Sequence, residues 1–138
     1  MKIQVANMSE ETIEGYRHVV VSNNYINFMD ISNNECVEII ASDVLDSFSL
    51  ENIRDCIVSL VNKLRLGGKL IIGGKDVRLF CKHVLSGAIS ENEASKLIEK
   101  STSMPSQAEI VEAIRSLGLK ILSTSITGIH FQVTAQRG

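Results

Sequence analysis

The sequence predicts an α/β domain whose mostly parallel sheet ends in an antiparallel hairpin at its C-terminal edge. Three observations carry this. Residues 37–41 and 70–72 form nearly unbroken apolar runs, as strands covered on both faces do. Between them Leu50, Ile53, Ile57, Leu60, Val61 and Leu64 recur at helical spacing. A strand, a helix and a strand in that order make a parallel crossover unit. The last two strands, residues 119–126 and 129–135, are joined by Thr127-Gly128 alone, and so short a link forces an antiparallel pair.

The remaining elements follow in order. Residues 3–6, 18–21 and 25–29 are β-rich, with turn formers between and after them, as in Ser22-Asn23-Asn24 and Ser32-Asn33-Asn34. Ser49 is expected to cap the first helix, residues 49–64, and Gly67-Gly68 to close it with the positive φ of a C-cap. After Gly73-Gly74 a helical insert spans about 76–103. Its first piece is marked by Val77, Phe80, Val84 and Leu85; its second opens on a Ser90/Glu93 capping box and carries Ala94, Leu97 and Ile98. Another capping box, Ser106/Glu109, follows Pro105 and leads Ile110, Val111, Ile114 and Leu117 into Gly118. Residues 1–138 read as one domain.

Composition narrows the function classes. A net charge of −2 argues against a protein that tracks a nucleic-acid backbone. Aromatic residues make up only 4% and Trp is absent, so the core is aliphatic. Cys36, Cys56 and Cys81 lie too far apart for a zinc or redox motif and read as buried hydrophobes. His18, His83 and His130 fall in separate elements without an i, i+4 partner, so no metal site is expected. Gly73-Gly74-Lys75-Asp76 lacks the spacing of a phosphate loop and reads as a strand-to-helix turn. No apolar run is long enough for a membrane span and no basic-then-apolar leader opens the chain, so a cytoplasmic protein is expected.

Several segments resemble the small class I S-adenosylmethionine-dependent methyltransferases. Residues 38–49, Glu-Ile-Ile-Ala-Ser-Asp-Val-Leu-Asp-Ser-Phe-Ser, are similar to that family's fourth strand and the Ser-His-Val-Leu-Glu-His-Phe type segment after it. Residues 62–72, with Leu64-Arg65-Leu66-Gly67-Gly68-Lys69-Leu70, are similar to its helix end and fifth strand, usually Leu-Lys-Pro-Gly-Gly-x-Leu. Residues 76–98 look like its insert, and residues 106–121 like its last helix and sixth strand. The resemblance implies a three-layer Rossmann-like fold and S-adenosylmethionine as cofactor.

The N-terminal third departs from the pattern. Where the family has a glycine-rich loop after the first strand, this chain has Ala6-Asn7-Met8-Ser9-Glu10-Glu11, with no glycine before Gly15. Where its second strand ends in a ribose-binding acid, Val20-Val21-Ser22-Asn23 offers none. Asp30 follows the third strand, where the family presents a carboxylate to the adenine amine, although Asp-x-Ser-Asn-Asn is also an ordinary turn. Asp43, after the fourth strand, is the candidate general base, or else a helix-capping acid. The candidate cofactor contacts are therefore Asn7, Ser9, Ser22, Asp30 and Asp43, with weak or absent binding expected. Two functions stay open: methyl transfer to a small molecule, and a non-catalytic module for partner binding or oligomerisation. The partner is a small molecule or a protein, a second copy of the chain included.

Overall fold

The computed structural model describes residues 1–138. The strands are β1 (Lys2–Ala6), β2 (Arg17–Ser22), β3 (Tyr25–Ile26), β4 (Cys36–Ala41), β5 (Leu64–Lys75), β6 (Leu119–Thr127) and β7 (His130–Arg137). The helices are α1 (Ile53–Lys63), α2 (Val77–Ser86), α3 (Glu91–Lys100) and α4 (Gln107–Ser116). One seven-stranded sheet runs in the order β3-β2-β1-β4-β5-β7-β6. Strands β2, β1, β4 and β5 are parallel, β7 is antiparallel to both β5 and β6, and β3 is antiparallel to β2. The expected α/β class and C-terminal hairpin are both present.

Alternation along the strands separates the two faces of the sheet. Ile3, Val5, Val19, Val21, Ile39, Leu70, Ile72, Val133 and Ala135 point to one side and are buried. Ile57 and Leu60 of α1 and Ile110 and Ile114 of α4 close over them in a single aliphatic core. On the other side the row Gln4, Ile40, Ile71 and Thr134 lies in register across β1, β4, β5 and β7. Here no helix packs. The β1-to-β2 connection moves along the sheet in the opposite direction from β4-to-β5, so a right-handed crossover carries it over this second face. Its residues, 7–16, contain no helix. Gln4 fastens them: its Nε2 donates to the Glu11 carbonyl and its Oε1 accepts from the Ile13 N–H, both at 2.9 Å. The layer on this side is thus a loop over β1, while Val20, Ile40 and Ile71 stay only half-buried.

Three local expectations are amended. The stretch expected to be helical from Ser49 begins as a short 3₁₀ turn, Leu50–Asn52, and becomes α-helical at Ile53. That helix ends at Leu64, which is already extended, and not at the glycine pair. Gly67, with φ +80°, instead turns the chain inside β5, where the register slips between Cys36↔Leu64 and Glu38↔Lys69. Finally, the third strand is only two residues long, and its reversal has consequences for the site.

The serine half of each capping box forms: Ser90 Oγ accepts from the Glu93 N–H and Ser106 Oγ from the Glu109 N–H, each at 3.2 Å, while neither Glu reaches back to the N-cap N–H. The buried Asp76 was not foreseen. Its carboxylate accepts from the Leu79 N–H at 3.0 Å and the Gln107 N–H at 2.8 Å, so one side chain caps α2 and α4 together. Helices α2 and α3 pack on each other through Phe80 and Ala94, with Ile129 beneath them, in a small core of their own.

Candidate functional site

Open parallel sheets place ligands at the carboxyl ends of their strands, at the point where strand order reverses. In this sheet that point lies between β1 and β4. Asn7 follows β1, Ser22 ends β2, Asp43 follows β4 and Lys75 ends β5, so these residues share one end of the molecule. Asn7 is occupied locally: its Oδ1 accepts from the Ser9 N–H at 3.0 Å and the Ser9 hydroxyl at 2.6 Å, and its Nδ2 donates to Glu10 at 3.1 Å. Ser9 is thereby tied into the same turn.

Asp30 does not join them. The Ser22-to-Tyr25 turn, with Asn24 at φ 55°, reverses the chain, so β3 descends beside β2. Residues after β3 therefore arrive at the amino end of the sheet, where Asp30 pairs with Arg17 at the start of β2. The Arg17 hydrogen bond holds its carboxyl below the ordinary carboxylate range. A family-like carboxylate needs a third strand parallel to the second, and a two-residue turn forbids that.

The same hairpin turn closes over the switch point. The Asn24 N–H donates to the Ser47 carbonyl and its Oδ1 accepts from the Ser49 N–H, both at 2.8 Å. Behind this bridge Val44 and Leu45, in the 3₁₀ turn Val44–Ser47, are 1% and 0% exposed. None of the five cavities is lined by Asn7, Ser9, Ser22, Asp30 or Asp43. A concavity of about 350 Å³ lies instead between the hairpin and α1, against Tyr25, Phe28, Phe48, Asp55 and Cys56.

What gathers around Asp43 is a polar group contributed by three strand ends. His130 Nδ1 stands 3.6 Å from Asp43 Oδ1. Gln132 Nε2 donates to Ser42 Oγ at 3.1 Å, and Lys75 Nζ donates to Asp46 Oδ2 at 3.1 Å. The other Asp46 oxygen is buried without a partner. Gly73 permits this convergence, since a Cβ there would strike the Phe131 carbonyl and come within 2.5 Å of the Ser42 carbonyl. Such a group can hold a proton or a small polar ligand. Sequence reading missed His130 and Lys75 because only the β5–β7 register brings them side by side.

No family model and no curated protein matches the chain. Solved structures do. An O-methyltransferase family protein from Burkholderia thailandensis superposes with a TM-score of 0.58 at 18% identity, over 76% of this chain and 31% of that one. The PH0226 protein from Pyrococcus horikoshii OT3 superposes with a TM-score of 0.63 at 11% identity, over 99% of this chain and 72% of that one. The fold is methyltransferase-like. At these identities the likeness concerns the fold alone, and the chain spans about a third of the Burkholderia protein. No helix is long and apolar enough to cross a membrane.

Proposed function

We propose that this chain is a methyltransferase-fold module of the cytoplasm that acts by binding a partner, without methyl transfer. The Asn24 bridge carries the reading, because it ties β2's turn to the segment after β4 across the place where a cofactor would lie. The residues nearby do not fit S-adenosylmethionine. No carboxylate ends β2 to hold a ribose, Asn7 and Ser9 satisfy each other, and Asp30 is at the opposite end. A carboxylate–ribose hydrogen bond contributes roughly 1.5–3 kcal/mol. At about 1.4 kcal/mol per tenfold, losing two such bonds turns micromolar binding into millimolar.

The rival reading, methyl transfer with Asp43 as base, draws support from His130 beside it. Calorimetric titration of the chain with S-adenosylmethionine separates the two. The expected result is no measurable heat; a Kd of about 10 μM or tighter would reinstate the enzyme, with Asp43→Asn the first variant to assay.

A further inference from the structure

The insert carries an apolar surface left uncovered. Leu85 is 88% exposed, Ile98 62% and Val77 38%. Val77, Cys81 and Leu85 recur every four residues and form one line along α2. Three concavities, of about 770, 320 and 270 Å³, run along this surface, and Cys81 lines all of them. The smallest has only hydrophobic walls, including Phe80, Val84, Ala94 and Ile98 from both helices. A contiguous patch of this kind marks an interaction site.

Its borders carry opposite charge. At 3.6 residues per turn, Arg78 and Lys82 flank the Val77–Cys81–Leu85 line on the side away from α3. On α3, Glu91 shares the line of Ile98, and Glu99 follows around the helix away from α2. Lys96 and Lys100 fall on the far side of α3. The strip is therefore cationic along its α2 edge, apolar in the middle and acidic along its α3 edge. A twofold contact requires a patch that complements itself. Rotation about an axis parallel to the helices lays the α2 edge of one copy on the α3 edge of the other, matching Arg78 and Lys82 with Glu91 and Glu99. Rotation about an in-plane axis across the helices lays α2 on α2 and opposes like charges.

We propose that two copies of this chain associate through α2 and α3, as a four-helix contact in which each α2 seats on its partner's α3. This gives the binding reading above a partner, yet it is tested by mass and not by cofactor titration, so either can fail alone.

Sedimentation equilibrium on the whole chain should give twice its 15.2 kDa. Arg78→Glu with Lys82→Glu should raise the dimer Kd about a hundredfold, with circular dichroism unchanged. Adding Glu91→Lys and Glu99→Lys to that variant should restore the dimer to within about tenfold of the parent. A wild-type chain that remains 15.2 kDa at about 100 μM overturns the proposal. So does failure of the fourfold variant to recover. Rapid disulfide cross-linking at Cys81 by diamide would also overturn it, since that requires the two α2 helices to face each other.

Discussion

Cys56 and Cys81 show how surroundings set the chemistry of one residue type. Cys56 lies on the buried face of α1, where burial pushes its thiol up from 9.0 to about 12, and burial raises Cys36 as well. Cys81 is exposed on α2. In the Arg78→Glu, Lys82→Glu variant, where the α2–α3 contact is weakened, a disulfide-exchange reagent at pH 8 should label Cys81 quickly and the other two thiols only after urea unfolding; fast labelling of Cys56 would show that α1 is misplaced. The pH dependence follows in sign. A raised folded value favours the neutral thiol, so the Cys56 contribution is complete below about pH 9 and is lost as pH climbs towards 12. The stability lost between pH 8 and pH 11 in urea should therefore shrink in Cys56→Ala. Gly73 makes a second test at this scale. Because backbone oxygens of β7 and of Ser42 occupy its Cβ direction, Gly73→Ala should cost about 1–3 kcal/mol by forcing strands apart. A loss under half a kcal/mol would mean the β4–β5–β7 ends are looser than described.

Elements with a repeating apolar signal were legible in the sequence; those fixed by a neighbour were not. Ile53, Ile57 and Leu60 are 7%, 0% and 0% exposed, as the helical spacing required, whereas Leu64, also buried, belongs to β5. Leu60→Ala should therefore cost about 2–5 kcal/mol in a urea titration, and a near-neutral result would mean the helix phase is wrong. The glycine pair misled because positive φ serves a helix cap and a strand irregularity equally, and only pairing with β4 decides which. For the site, the position of Asp43 at the carboxyl end of β4 was legible from the apolar strand before it, whereas Asp30 lies at the amino end of the sheet for a reason already in the sequence. Asn23-Asn24 between β2 and β3 is as short a link as Gly128-Ile129 between β6 and β7, so the rule that made β6 and β7 antiparallel applies to β2 and β3. The resemblance had supplied a parallel third strand that the turn excludes. His130, Lys75 and the Asn24 bridge left no sequence signal, being contacts between residues far apart in the chain.

At the scale of the whole molecule, the sheet is covered unequally. Residues 37–41 and 70–72 read as strands buried on both faces, yet α1 and α4 both lie on one side. The connection over the other side reaches β1 through Gln4 and goes no further along the row to β4 and β5. Ile71 and Ile72 are adjacent in β5, so they share backbone, strand propensity and neighbouring strands; only the face differs. Ile72 is 0% exposed, whereas Ile71 is partly open. Truncation of a fully buried isoleucine loses its transfer energy and leaves a cavity, about 2–5 kcal/mol, whereas a half-open site loses less area and refills with water. In urea unfolding, Ile72→Ala should therefore cost at least about twice as much as Ile71→Ala. Because both variants are compared in one host, differences in strand propensity and in the unfolded state cancel. Equal losses would mean that something covers Ile71 and Ile40 in solution as firmly as α1 and α4 cover Ile72, and the search for a partner would then move from the insert to that face.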